Sequence, residues 1–384
     1  MYRLLHIHTN PTFFWDTLKF VDEKFNNEIA FIGAYDENTI AKLNKLNLVY
    51  KTYENTEQKI KQLVEHTSQF DGIILYGLDE YQTKTLLQIS SKVKIFLRFF
   101  GAELYMIRAK EFLSETTWKY QFKENATLLG KLKLFLGLFK RKIKITFNKE
   151  CDVQIDNQKK VYQRFNSVMM INEFEYKELS KSFFLPKLIT LQFTNHEKES
   201  IRLITSKKSN KIIIGNSGHR WNNHLDLLDI IKNSNNIGNI EFQLFFSYGA
   251  ESVYSKKVKS LAQEIKNVHL IESFLEKDEF EATYTQAEAL VINSYRQHAV
   301  GNIITAIKYG CKIYLNKRSS TYHWLVSKGF LINEVDNLKN DIESGNIKLS
   351  VEEQQHNLDC FVKAVKDYSV EDFVNNVVTI LEEK

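Results

Sequence analysis

Strands and helices alternate twice along this chain, and no other feature restricts its fold as much. In the first series "YRLLHIHT" (2–9), "EIAFIGAY" (28–35), "DGIILYG" (71–77) and "VKIFLRFFG" (93–101) are dense in apolar residues, as short buried strands are. Between them "TLKFVDEKF" (17–25), "TEQKIKQLVEHTSQ" (56–69) and "YQTKTLLQISSK" (81–92) carry helical spacing. The regularity breaks between about Glu103 and Glu150. It resumes with a strand and helix in 161–183. The second series begins at "KIIIG" (211–215). It continues through "NNHLDLLDIIKN", "IEFQLFFSYG", "ESVYSKKVKSLAQEIK", "VHLIES", "EKDEFEATYTQAE", "ALVINSY" and "GNIITAIKYG" to "CKIYLN" (311–316), with one or two helices over 351–384. Such alternation implies parallel sheets with helices on both faces. A length of 384 residues fits two domains. The polar stretch "TNHEKESIRLITSKKSN" (194–210) separates them, giving two α/β halves in tandem over 1–200 and 206–384. The last helix is free to cross back to the first. No period of 20–50 residues marks a solenoid.

Composition narrows the classes. The chain is 43% hydrophobic and 13% aromatic, enough for a packed core in each domain. A net charge of +5 is too small for the total alone to imply a nucleic-acid partner. The three cysteines are far apart and form no CxxC pair, so neither a disulfide framework nor a cysteine metal site is indicated. The start "MYRLLHIHTNPTFFWD" lacks the basic, apolar and small-residue regions of a signal peptide, and no stretch of about 18 apolar residues suggests a spanning helix.

The segment "KIIIGNSGHRWNNHLDLLDIIKN" (211–233) carries the clearest chemistry. Three isoleucines form a strand covered on both faces. Gly215, Asn216, Ser217 and Gly218 then turn into a helix whose N-cap is Asn222 or Asn223. A glycine turn feeding a helix N-terminus presents amides and a partial positive charge to an anion, suiting a diphosphate. Ser217, His219, Arg220 and His224 add hydrogen-bonding and cationic groups. The spacing matches neither GxGxxG nor GxxxxGKS. A tight turn without ligand is the alternative.

"IIIGNSGHRWNNH" resembles the GNSG…N.H segment of the TDP-N-acetylfucosamine:lipid II N-acetylfucosaminyltransferases. Three more stretches resemble that family in the same order: "FLRFFGAELY" (96–105), "FSYG" (246–249) and "SYRQHAVGNIITAIKYGCKIYLNK" (294–317). The resemblance implies a GT-B fold, with two Rossmann-like domains facing each other across a cleft. It also implies transfer of a 4-acetamido-4,6-dideoxygalactose-like sugar from a dTDP-sugar to a lipid-linked saccharide in surface polysaccharide synthesis, without a metal or other cofactor.

On that reading Arg296 pairs with the donor diphosphate, its planar fork matching phosphate oxygens. Gln297 and Asn302 bond the sugar or base, and Gly301 lets the backbone approach. Ser247, Tyr248 and Gly249 lie at another strand end, where ligands of open α/β sheets collect. The Glu that retaining GT-B enzymes often carry in the loop around Arg296 is absent. Glu103, where the family has an acid, is a candidate general base on the acceptor hydroxyl, or else caps a helix or pairs with Arg98. His6, which aligns with a family histidine, is the other candidate base. It shares a strand face with His8, and a core role is the alternative.

Residues 125–149, "NATLLGKLKLFLGLFKRKIKITFNK", have six Lys and Arg within 131–144 and no acid between Ala126 and Asn148. Lys131, Lys133, Lys140, Arg141 and Lys142 beside Phe135, Leu138 and Phe139 suit an anionic membrane surface. A buried amphipathic helix is the alternative. The whole describes a peripheral glycosyltransferase at the cytoplasmic face of the inner membrane. Its partners are a nucleotide-sugar donor and a lipid-diphosphate-linked saccharide acceptor, not nucleic acid. The competing readings are a sugar-nucleotide epimerase or hydrolase of the same fold, and a non-catalytic anionic-lipid binding protein.

Overall fold

The computed structural model describes residues 1–9, 20, 22–33, 40–41, 43–44, 49–105, 109–120, 158–192, 208–235, 237–249 and 251–383. In the first half these form β1 (Tyr2–His8), β2 (Phe25–Ile32), β3 (Val49–Tyr53), α1 (Glu57–Thr67), β4 (Gly72–Tyr76), α2 (Glu80–Leu86), β5 (Lys94–Arg98) and the one-turn α3 (Ala102–Tyr105). Then come α4 (Glu115–Lys119), α5 (Gln158–Tyr162), β6 (Ser167–Met170), α6 (Glu173–Ser180) and β7 (Lys187–Thr190). The second half contains β8 (Lys211–Ile214), α7 (His224–Lys232), β9 (Glu241–Phe245), α8 (Val253–Gln263), β10 (Val268–Ile271), α9 (Lys277–Gln286), β11 (Ala287–Ile292) and α10 (Val300–Lys308). It ends with β12 (Lys312–Leu315), α11 (Ser320–Ser327), β13 (Asn333–Glu334), α12 (Leu338–Ser344), α13 (Val351–Lys366) and α14 (Val370–Glu382).

The chain forms two compact units. The first holds β1 to β7 as one parallel sheet, in the order β3-β2-β1-β4-β5-β6-β7, and also α14. The second holds β8 to β13, parallel in the order β10-β9-β8-β11-β12-β13, and also α4. The boundary expected near residue 200 lies outside the described residues, as does the basic apolar segment 125–149. No helix among the described residues is long and apolar enough to cross a membrane.

Burial follows the pattern expected of doubly covered parallel sheets. Every residue of β4, β6, β11 and β12 is buried. β3 is an edge strand with only Tyr53 buried, so its sequence lacks the apolar run that marks the others. β7, with one buried residue, is the opposite edge. The helix expected over 17–25 does not run to its end. Asp22 makes a turn, accepting Lys24 N–H on its carboxylate at 2.9 Å and Phe25 N–H on its carbonyl at 3.0 Å, and Phe25 opens β2.

His6 and His8 do share one face of β1, but both faces of this strand are covered. Both are fully buried. His6 Nε2 lies 2.9 Å from Asn27 Oδ1, and Nδ1 lies 2.9 Å from the Tyr76 hydroxyl. An amide oxygen only accepts, so Nε2 carries the proton and Nδ1 accepts from Tyr76. His8 stacks on the Tyr76 ring with centroids 3.8 Å apart. Burial pushes the His6 pKa down to about 4, partly offset by the bond to Asn27. His6 is therefore a satisfied core residue rather than the base on an acceptor hydroxyl that the resemblance implied, because both nitrogens are engaged and neither reaches solvent.

α14 is built into the first unit by contacts along its length. Phe373 meets the Phe20 ring edge-on at 5.3 Å, Tyr2 donates to Glu382 at 2.6 Å, and Leu381 lies over β4. A Cβ on Gly72 would fall 2.8 Å from Leu381 Cδ2 and 3.0 Å from Leu4 Cδ2, so glycine here sets how closely α14 approaches the sheet.

Two outcomes are expected. Gly72→Val forces these side chains apart and destabilises the protein by about 1–3 kcal/mol, read as a lower urea midpoint; an unchanged midpoint refutes this packing. The folded-state pKa of His6 lies below its unfolded value of 6.5, so the unfolded chain binds the extra proton first. Stability from this site is full above about pH 6.5 and is lost as pH falls toward 4. His6→Leu should flatten the fall in urea midpoint between pH 7 and pH 5.

Candidate functional site

The strand order of the second unit reverses between β8 and β11: successive strands add on one side after β8 and on the other after β11. At such a switch point the loops beyond the carboxyl ends part and leave room for a ligand. The GNSG turn follows β8, Ser247–Gly249 follow β9, the Arg296 loop follows β11, and Arg318–Ser319 follow β12. The fold thus brings the separate motifs of the second half to one end of one sheet.

The GNSG turn itself is closed. Gly215, at φ +66°, gives its N–H to Val291 O at 2.9 Å. A Cβ there would lie 3.0 Å from His224 Nε2. Gly218 gives its N–H to Tyr248 O at 2.7 Å, and a Cβ on it would meet the Phe246 ring at 3.1 Å. Gly249, at φ +128°, has the same need: its Cβ would fall 3.1 Å from the Gly218 carbonyl carbon. The turns after β8 and β9 thus pack backbone on backbone. Asn216 donates to the Tyr248 hydroxyl at 3.1 Å, and Asn222 donates to Ser217 O at 3.0 Å. Ser217 and His224 are fully buried, while Ser247 is half-buried at the rim.

The helix behind the turn is no freer. His224 N–H donates to the Tyr254 hydroxyl at 2.9 Å, and His224 Nδ1 lies 3.0 Å from the same oxygen. Asp226 sits in the first turn of α7. Burial pushes the His224 pKa down to about 3, keeping the ring neutral. Part of the hydrogen-bonding capacity expected to cradle a diphosphate at this turn and helix start is therefore spent within the protein. Two of the four turn amides and the first helix amide already have protein partners, and Asp226, bonded by Ser114, stands in the first turn of the helix. Gly215, Asn216, Ser217, Gly218 and His224 form a pedestal. Asn223 is the N-cap, but its side chain does not cap α7. It adopts the left-handed conformation, φ 47° and ψ 46°, and directs its amide elsewhere.

The loop after β11 has the opposite character. Arg296 and Arg220 each place a guanidinium carbon 5.3 Å from the Trp221 ring centre. Beside them are His219 and His298. Burial lowers the His219 pKa, followed by the charges of Arg296 and Arg220. Burial also holds His298 well below its ordinary value, with Arg296, His219 and His224 adding to the effect. Gln297 Oε1 and His298 Nδ1 are buried and have no hydrogen-bond partner among the described residues. The next helix, α10, begins after Ala299, which is left-handed at φ 57° and provides no side-chain cap. The first amides of a helix need partners from outside it, and the space a Cβ on Gly301 would enter is open. Asn302 is less available, since it donates to the buried Tyr284 hydroxyl at 2.9 Å. Two guanidiniums, two histidines and an uncapped helix start thus meet at the switch point, an arrangement that suits a polyanion.

Asn223 was read from the sequence only as a helix cap, and its partners Ser114 and Asn293, with Asn316 and Arg318, were not singled out. Asn223 Nδ2 donates to Asn293 O at 2.8 Å, and Asn316 Nδ2 donates to Asn293 Oδ1 at 2.8 Å. Ser114 N–H donates to Asn223 Oδ1 at 2.9 Å. Arg318 stacks on Tyr295 at 4.1 Å and donates to Glu111 O at 2.9 Å. A signal was present: "IIIGN", "LVIN" and "IYLN" each place an asparagine just past an apolar strand. Glu103 lies in α3, after the end of β5 in the first unit; its side chain is outside what the structure describes.

Neither a protein-family model nor a curated protein matches this sequence. Solved structures do resemble it over nearly the whole chain. Anabaena Alr3699/HepE in complex with UDP and glucose is 11% identical, with 99% of each chain covered and a TM-score of 0.63. Sucrose-phosphate synthase from Thermosynechococcus elongatus is 8% identical, covering 99% of this chain and 98% of its own, with a TM-score of 0.63. A glycosyltransferase from Rickettsia africae is 10% identical, with the same coverage and a TM-score of 0.61. At such identities the likeness is one of fold, and with the two parallel-sheet units it establishes that this chain has the two-domain, Rossmann-like GT-B fold.

Proposed function

We propose that this protein is a glycosyltransferase whose second unit binds a nucleotide-diphosphate sugar. The observation that carries the reading is the pair of guanidiniums, Arg296 and Arg220, with the neutral imidazoles of His219 and His298, beside the uncapped start of α10 at the switch point of a GT-B fold. Transfer builds negative charge on the departing diphosphate. Donors already fixed in place stabilise that charge without reorganising during the reaction. Arg296 and the first amides of α10 meet the diphosphate, Arg220, also against the Trp221 ring, adds charge, and Gln297 bonds the sugar. Tyr248, half-exposed at the end of β9, and Ser247 lie at the rim on the nucleotide side. The guanidiniums supply the positive charge in this reading, so it requires no metal.

The finer identity follows from the resemblance in the motifs. The donor is a dTDP-linked 4-acetamido-4,6-dideoxy sugar, and the acceptor is a lipid-diphosphate saccharide bound by the first unit. Glu103, at the carboxyl end of β5, is the general base on the acceptor hydroxyl. Residues 125–149 hold the protein on the cytoplasmic face of an anionic membrane, where the acceptor's lipid tail stays in the bilayer. The Anabaena structure of similar fold holds UDP, so a comparison of UDP with dTDP tests the thymine in this reading.

Three measurements test these statements. A nucleoside diphosphate at one hundred times its dissociation constant adds about 2.7 kcal/mol to stability. Either UDP or dTDP should therefore raise the melting temperature, and a protein indifferent to every nucleoside diphosphate is not this enzyme. Arg296→Ala should lower the transfer rate about 100-fold or more and weaken donor binding; unchanged values place the diphosphate elsewhere. Replacing Lys131, Lys133, Lys140, Arg141 and Lys142 with Gln should weaken binding to phosphatidylserine vesicles by more than about 100-fold, at ~1 kcal/mol per cation. Equal binding by the two proteins removes the membrane assignment and leaves the donor site intact.

A further inference from the structure

Residues 109–120 come from the break in the first alternating series, yet they are part of the second unit. Their short helix α4 packs on α7, and Tyr120 lies against the core of the second sheet. Ser114, the N-cap of α4, is 2% exposed and is the centre of this attachment. Its N–H donates to Asn223 Oδ1, and its hydroxyl donates to the Asp226 carboxylate at 2.5 Å. Thr116 also bonds that carboxylate, and Thr117, fully buried, bonds the Tyr254 hydroxyl that receives His224 N–H. A few residues earlier, Glu111 O accepts from Arg318, fixing the guanidinium that stacks on Tyr295.

The attachment continues into the loop that carries Arg296. Asn223 keeps its left-handed backbone while its amide bridges two partners: it accepts from Ser114 and donates to Asn293 O. Asn293 in turn donates to Asn223 O at 3.4 Å and accepts from Asn316. Ser319 then closes the circuit by donating to Arg296 O at 3.1 Å. The hydrogen bonds therefore run from Ser114 through Asn223, Asn293 and Asn316 to the segment from which Arg296 projects. Sterically unusual backbone in a fully bonded setting persists where the surroundings over-determine it. Here Ser114 and Asn293 are those surroundings.

We propose that Ser114 is a positioning residue of the diphosphate site, holding the Arg296 loop in its binding geometry through Asn223 and Asp226. The inference rests on the donor-site reading above. It adds that a segment outside the second alternating series sets the affinity of that site. Ser114 touches no ligand itself. Removing the hydroxyl leaves the Ser114 N–H in the chain but frees it from its anchor: Asp226 loses a donor in a buried position, the side-chain cap on Thr117 N–H is lost, and the N–H that meets Asn223 Oδ1 is no longer held in place. The loops on Asn223 loosen, while the nucleoside end of the site keeps its contacts. The signature is therefore selective: the diphosphate contribution falls, and the nucleoside contribution does not.

The test compares the full-length protein with Ser114→Ala, measuring dissociation constants for UDP, UMP, dTDP and dTMP by calorimetry. One lost hydrogen bond of about 1 kcal/mol corresponds to roughly a fivefold change. The ratio of monophosphate to diphosphate dissociation constants should fall by about fivefold or more in Ser114→Ala. Lys119→Ala, on the exposed face of α4, should leave the ratio unchanged. A purely structural Ser114 would lower the melting temperature of the unliganded protein but leave that ratio as it was, and this result overturns the proposal. If Ser114→Ala does not fold, Ser114→Cys, which keeps the volume and weakens the donor, is judged by the same ratio. Wild-type protein that binds no nucleoside diphosphate instead refutes the donor site itself. Tight wild-type binding with an unaltered ratio in the variant refutes only the role of Ser114.

Discussion

The second unit depends on the side-chain amide of one buried asparagine. Asn223 sits where β8, its glycine turn and α7 meet, in a backbone conformation that costs an L-residue about 1–3 kcal/mol. What offsets the cost is the bonding of both ends of its amide, to Ser114 N–H and Asn293 O. With that bridge made, the loops after β8 and β11 are fixed to each other and the pedestal of Gly215, Ser217 and His224 fits beneath them. Without it, the donors and acceptors of three loops would be buried unpaired, each costing about 1–3 kcal/mol.

The site divides its work between two halves that look alike in sequence. Both "GNSGHRWNNH" and "SYRQHAVGN" combine glycine, cations and asparagine at the junction of a strand and a helix. In the first, glycine serves close packing: Gly218 under Phe246, Gly249 against Gly218 and Gly215 over His224. In the second, the glycine faces open space and the helix start is uncapped. The same residue types thus give a solid base and an open anion site, and the difference lies in which neighbours take up the amides.

Most of the architecture was legible in the sequence because its periodicities are strong. The runs Ile212–Ile214, Ile73–Leu75 and Ala289–Ile292 announce doubly covered strands, and each lies at the centre of its sheet. The edge strands β3 and β7 carry no such run, because one side faces solvent. The glycine turn was located correctly, but its internal hydrogen bonding was not legible, since amides taken by Val291 and Tyr248, distant in sequence, leave no local trace. His6 was ambiguous for a related reason: a histidine satisfied by Tyr76 and Asn27 is spelled the same way as one poised in a site. Ser114 was invisible, because its partners lie more than one hundred residues away.

The place of α14 has a consequence for synthesis. Its apolar face covers β4 and Phe20 of a sheet whose last strand, β7, leaves the ribosome long before α14 does. At about 5–20 residues per second, the nascent first sheet stands without this cover for on the order of ten seconds or more while the remainder of the second unit is translated. During that interval Leu4 and the bare backbone at Gly72 are uncovered, an exposed greasy surface of the kind that chaperones hold and that aggregation seeds on.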